Sequence, residues 1–417
     1  MIHLFMNALA ASAGGGLTYV RNVIPQIAAR TDAMATVLLD PGLHREFQNL
    51  PNVELLEWEG SAQPALRFWM EQRMVRKLAI HSKAGVLLSA GNFAVWNSPL
   101  PQLLLSRNSL YTSRDFDRDL RSRGETRLWL ETRLKAEFAS WSIRAADRVV
   151  APSQSFAEEL QCWTGVPISA IHHGFDRDTF LHDQSPLPAA VRRQLESAGG
   201  ALRLLFVSHY NYYRNFETLI RALPSIRREL APRTVRLFLT CKLAPGANPG
   251  AYRPERAAAL VRQLNLSDEV VELGSVPYSL LHHVYRSADI YVSPAYAESF
   301  AHPLVEAMSC GLPVVASDLP VHREICCDAG VYFQRFSPED LAQRVLAVAG
   351  SSELAGQLAQ AGMARASAFS WKRHVDQILS LAREASSELD RAPGADVKTI
   401  GDFPQRRNFV AETAQHL

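Results

Sequence analysis

Glu298 and Glu306 stand eight positions apart in AESFAHPLVEAMSCGLPVVASD, residues 297–318. The apolar run DIYVSPA before them reads as a buried strand ending near Ala295, which puts Glu298 in the following loop. A helix is expected to begin near Ala301–Pro303, because proline suits a first turn where its missing N–H has no partner to lose. Glu306 then falls on the first or second turn. A strand-end loop joined to a helix N-terminus offers free backbone N–H groups and a partial positive charge, an arrangement suited to a phosphate or diphosphate. Carboxylates beside such an anion must face something else. Sugar hydroxyls fit, since an ionised carboxylate accepts two at once, each bond contributing about 1.5–3 kcal/mol. Two solvated surface glutamates would have the same spacing, so spacing by itself leaves both readings open.

The elements that must hold these residues alternate strand with helix. IHLFMNAL, then ATVLLD (35–40), AGVLLSAG (84–91), PQLLLS (101–106) and DRVVAPS (147–153) read as strands. Helical patterns fall near Leu17–Ala29, 65–80 and 124–145. A linker signal rich in Pro, Gly and Ser covers 182–200, and the alternation then resumes with LRLLFVSHY, VRLFLTCK, VVELGSV, DIYVSPA and PVVASD. This pattern predicts an α/β protein of two Rossmann-like, doubly wound domains facing across a cleft. The first spans 1–182 and the second 200–370. A last helix near 371–385 follows, and 387–417 is expected to be a flexible polar tail.

Composition narrows the classes. In 417 residues, 47% hydrophobic and 21% charged, a net charge of +2 leaves no whole-chain footprint for nucleic acid. Five cysteines without paired spacing point to reduced thiols and a cytoplasmic setting. The apolar start lacks a basic leader, and no run reaches the length of a membrane span. Residues 65–83, with Trp69, Met70 and several cations, and the Arg-rich 121–135 could instead lie on an anionic membrane surface as a peripheral contact.

The stretch resembles the signature of the retaining glycosyltransferases of family four, E-G-F-G-x-P-x-x-E-A-M-A-x-G-x-P-V-V-A. The match runs through Glu298, Phe300, Pro303, Glu306-Ala307-Met308, Gly311 and Pro313-Val314-Val315-Ala316. LGSVPYSLLHHVYRSADIYVSPA, RAADRVVAPSQSFAEEL, AIHHGFDRDTF and FSWKRHVDQIL resemble further parts of that family, and together they cover most of residues 1–385. The resemblance implies a GT-B fold whose final helix crosses back to the first domain. It implies that Glu298 holds the donor sugar and Glu306 the nucleotide ribose, with backbone N–H groups near Phe300, Ala301 and His302 meeting sugar or phosphate. The family's G-R-x-x-x-x-K-(G/N) motif reads Ser208, His209 and, at its end, Arg214-Asn215. Arg214 replaces the lysine and can still neutralise a diphosphate. His209 replaces the arginine and is the weaker candidate. Gly15 and Gly16 match the loop that approaches diphosphate and sugar. Where the family often has His-Asp, its His touching the sugar, this chain has Arg107-Asn108.

The implied reaction is retaining transfer of a sugar from a nucleoside-diphosphate donor to a saccharide or lipid-linked acceptor, with no cofactor and no metal. Glu298 and Arg214 carry the chemistry. Polysaccharide assembly at the inner membrane face is the implied setting. A nucleotide-sugar epimerase and a catalytically silent sugar-nucleotide-binding homologue remain as alternatives. Asp176-Arg177-Asp178 spells a metal-binding D-x-D, and Gly14-x-Gly16 with Asp40 mimics a dinucleotide fingerprint. The first falls where an interdomain loop is implied; the second lacks its third glycine.

Overall fold

The computed structural model describes residues 1–11, 14–58, 64–250 and 252–391. The first lobe holds β1 Ile2–Asn7, β2 Ala33–Leu39, β3 Val53–Glu57, β4 Val86–Ser89, β5 Gln102–Leu105, β6 Arg148–Ala151 and β7 Ser169–Ala170. The second holds β8 Leu202–Phe206, β9 Val235–Leu239, β10 Val270–Glu272, β11 Ile290–Ser293, β12 Val314–Ser317 and β13 Gly330–Phe333. Every pairing is parallel. The orders are β3-β2-β1-β4-β5-β6-β7 and β10-β9-β8-β11-β12-β13. Each sheet reverses direction at one switch point, between β1 and β4 in the first lobe and between β8 and β11 in the second.

The central strands read as unbroken apolar runs because helices cover both faces; β4, β5, β11 and β12 are buried throughout. Three edge strands escaped the sequence pattern. VELLE of β3 exposes Glu54 and Glu57 and buries none of its residues fully, β7 has only two residues, and GVYF of β13 opens on a glycine and is half-buried. The helix expected over 124–145 is Thr126–Ala145, a further helix not read from the sequence, Arg114–Ser122, precedes it, and the interlobe stretch carries a short helix, Ala189–Glu196.

The helix Trp371–Arg391 returns to the first lobe, burying Val375, Ile378, Leu379 and Ala382 against Tyr19, Val20 and Val23. Arg383 pairs with Asp32 at 2.6 Å on its outer side. Gly174 permits the crossing: a Cβ there would sit 2.0 Å from the Trp371 nitrogen. Beyond Arg391 the expected tail lies outside the described residues. Among the described residues, no helix is long and apolar enough to cross a membrane.

Candidate active site

At the second lobe's switch point, the loops after β8 and β11 are tied together. Asn215 adopts a left-handed conformation at φ 55°, which asparagine tolerates, and its Nδ2 donates to Pro294 O at 3.0 Å. The Tyr296 N–H donates to Tyr213 O at 2.9 Å. These bonds bring Arg214 against Glu298 as an ion pair whose side chains are 20% and 10% exposed. Residues 84 positions apart thus meet at the crevice where open parallel sheets bind ligands. Arg214 also lies 5.2 Å from the Tyr213 ring, and its Nε is buried without a hydrogen-bond acceptor among the described residues. His209 of the same loop is exposed, and Ser208 donates its N–H to Thr240 Oγ1 at 3.0 Å.

The helix His302–Ser309 begins beside this pair, with Pro303 in its first turn and no side chain capping its N–H groups. Ala301 enters it in the left-handed region, φ 66°, where the family signature has glycine. The Phe300 ring is buried against His173 and Phe369, at centroid distances of 5.2 and 5.5 Å. The His302 Nε2 lies 3.1 Å from His173 Nδ1. Burial, with the charge of Arg107 and then His374, pushes His302 down to about 4, so its ring is neutral at pH 7. The side chains of Phe300 and His302 therefore join the lobes, while their backbone stays at the open helix end.

Glu306 lies on the second turn and is buried. The Tyr285 hydroxyl donates to its Oε2 at 2.7 Å. Burial pushes the carboxyl up to about 7, opposed by hydrogen bonds from Tyr285 and Tyr278. Tyr285 is a partner of Glu306 that the sequence reading missed; it sits 21 positions away, on a separate helix.

In the first lobe Gly15 and Gly16 occupy the first turn of the helix Gly14–Ala28, which starts earlier than the expected Leu17, so they are not in a free loop. Gly16 lets this turn pass Ala11, whose Cα a Cβ would approach to 2.9 Å. Arg107 follows β5 and reaches both Gly15 O, at 3.4 Å, and Ala90 O. Asp176 is a helix cap, accepting from Thr179 N at 3.0 Å and from the Thr179 hydroxyl at 2.8 Å. Among the described residues no group of His, Cys, Asp or Glu is arranged to hold a metal.

Between the lobes lies a cavity of about 530 Å³ lined by Ser109, Ser113, Arg114, Arg118, Tyr296, Glu298 and Arg335, among others. The helix Arg114–Ser122 lines one side of it, and that helix and the turn after it tie the lobes together. Arg123 donates to Asp119 of its own lobe and to Glu217 of the other, at 2.8 and 2.9 Å, and lies 4.2 Å over the Tyr212 ring. Tyr212 and Tyr296 donate to Glu125 and Asp119, both at 2.7 Å. On the other side Glu324 of the second lobe accepts the N–H groups of Gln154 and Ser155, both at 2.7 Å, at the start of a first-lobe helix. Its carboxyl also meets His172 Nε2 at 2.6 Å. Burial pushes Glu324 up, but the hydrogen bonds from His172, Ser155 and Gln154 outweigh it and hold the group down at about 2.

Comparison with known proteins bears on the family and the fold. Residues 13–179 match the family model described as Glycosyltransferase Family 4, and residues 189–365 match Glycosyl transferases group 1. The D-inositol 3-phosphate glycosyltransferase of Streptosporangium roseum is 27% identical over 256 residues, covering 60% of this chain and 58% of that protein. The namesake from Geodermatophilus obscurus is 30% identical over 255 residues, covering 60% and 55%. The chain therefore spans little more than half the length of these relatives. Among solved structures, sucrose-phosphate synthase from Thermosynechococcus elongatus superposes with a TM-score of 0.72 at 20% identity, over 93% of this chain and 100% of that one. Anabaena HepE in complex with UDP superposes with a TM-score of 0.66 at 18% identity, over 92% and 100%. At these identities the likeness establishes the two-lobed GT-B fold.

Proposed function

The chain belongs to the family 4 glycosyltransferases, and from that premise we propose that it moves a sugar from a nucleoside-diphosphate donor to a hydroxylated acceptor with retention at the anomeric carbon. The observation that carries this reading is the Arg214–Glu298 pair beside the uncapped start of His302–Ser309. The diphosphate would rest against the helix N–H groups and Arg214. Glu298 would turn from Arg214 to the sugar hydroxyls, and Glu306 would accept from the ribose. HepE binds UDP, which supports a uridine donor as the first to try.

Asp115 and Glu159 line the same cavity as Glu298, Asp115 paired with Arg118 and Arg335, and the scheme assigns no carboxylate the part of a nucleophile. The acceptor oxygen would attack C1 on the face the diphosphate leaves, the C1–oxygen bond electrons passing to the leaving phosphate, which takes the hydroxyl proton. Arg214 and the helix dipole stabilise the charge that grows there. The scheme requires no metal, so EDTA should leave the rate unchanged. Release of free nucleoside diphosphate, measured with and without candidate acceptors, tests the reading. Acceptor-dependent release supports transfer, and binding without release supports a silent homologue. NMR of the product anomer tests retention.

A membrane-borne acceptor has its own support. Six of the ten large hydrophobic side chains that stand exposed among the described residues are Trp69, Met70, Ile80, Leu130, Leu134 and Trp141, all on two first-lobe helices. Trp69, Trp96, Phe138 and Trp141 touch in series, and exposed Arg73, Lys77, Arg127, Arg133 and Arg144 share these helices. Aromatics backed by cations suit the surface of an anionic bilayer. Sedimentation with phosphatidylglycerol vesicles, but not with phosphatidylcholine vesicles, and its loss in a Trp69→Ala/Trp141→Ala variant, is the expected result.

A further inference from the structure

Each lobe places an arginine at its switch point, and only one of the two has a counter-ion. Arg214 is paired with Glu298. Arg107, in the first lobe, is held by neutral groups. Its N–H donates to Asn92 Oδ1 at 2.7 Å, its guanidinium donates to Gly15 O and Ala90 O, and it lies 4.9 Å over the Tyr19 ring. Its Nε is buried without an acceptor, and no carboxylate pairs with it among the described residues. His173, His302 and His374 stand around it, and burial first, then neighbouring positive groups including Arg107, holds all three neutral. Carbonyl dipoles and a ring face offset part of the cost of burying a cation, but the strongest partner, an oxyanion, is missing.

The position limits what that anion can be. Gly15 and Ala90 follow β1 and β4, so Arg107 lies where ligands enter the first sheet's crevice. His302, at the helix start assigned to the diphosphate, feels its charge from the facing lobe. We propose that Arg107 receives an oxyanion of the donor from the first-lobe wall of the cleft, so that the donor is gripped by one arginine from each lobe. The oxyanion is either a phosphate of the diphosphate or a carboxylate on the transferred sugar, since a guanidinium fork takes both in the same bidentate way. This inference rests on the donor reading above.

The test compares the full chain with its Arg107→Met and Arg107→Lys variants. Unliganded melting is followed by titration with inorganic phosphate, UDP, UDP-glucose and UDP-glucuronate. The Met variant, freed of an uncompensated cation, should melt at or above the wild type without ligand. It should also bind at least one titrant about tenfold or more weakly. A loss shared by UDP and both sugar conjugates assigns the phosphate; a loss confined to UDP-glucuronate assigns a sugar carboxylate. Lysine should restore part of the affinity, and it carries the test if the Met variant does not fold. Variants that bind every titrant as the wild type does would overturn the proposal and make Arg107 a strut. Failure of the donor reading looks different: the wild type would bind phosphate through Arg107 but none of the nucleotides.

Discussion

Arg123 of the first lobe and Glu217 of the second form a buried ion pair at 2.9 Å, their side chains 9% and 8% exposed. Asp119 holds the same guanidinium, and Tyr210 donates to Glu217 at 3.0 Å. Removing one member of such a group strands the other charges away from water, which costs about 3–5 kcal/mol. Arg123→Ala should therefore lower the denaturation midpoint strongly and open the lobes, read as a larger radius of gyration in solution scattering. A midpoint unchanged from the wild type would show that the clamp contributes nothing.

Glu306 should make nucleotide binding depend on pH. Its folded value of about 7 lies above the usual 4.5, so its stabilising protonated form is fully present below 4.5 and is lost as pH rises through 7. Binding runs the other way, because ribose hydroxyls need an ionised acceptor. Affinity for the nucleoside diphosphate should rise by up to about tenfold per pH unit below 7 and level off above it. Glu306→Gln should flatten that profile.

Ala301 stores backbone strain at the entrance to the helix His302–Ser309. At φ 66° an alanine costs about 1–2 kcal/mol that a glycine does not, less the glycine's larger loss of chain entropy. Ala301→Gly should raise stability by up to about 1 kcal/mol. Ala301→Val should lower both stability and nucleotide affinity. Equal midpoints for all three proteins would remove strain from the account.

The legible parts of this protein are local. The apolar runs of β4, β5, β11 and β12 carry their own signal because both faces are buried. Glu298, Pro303 and Glu306 fall within nine residues, close enough for one motif to describe. Partnership across the chain is not legible in the same way. Nothing near Arg214 in sequence says that it meets Glu298, because that contact depends on Asn215 reaching Pro294. Nor does anything near Glu324 announce that it caps a helix of the other lobe 170 positions away. Arg107 was visible only as a departure from a pattern; its lack of a counter-ion needed the folded neighbourhood of Gly15, Ala90 and Tyr19.

The central claim is that Glu298 grips the donor's sugar while Arg214 and the neighbouring helix start hold its diphosphate. Calorimetric titration of the wild type and Glu298→Gln, with a nucleoside diphosphate and with its sugar conjugate, separates the two contributions. The account predicts that the variant binds the nucleoside diphosphate as well as the wild type or better, because Arg214 is released from its partner. It should bind the sugar conjugate about ten- to a hundredfold more weakly and should not transfer the sugar. A variant that binds and transfers the sugar as the wild type does would contradict it.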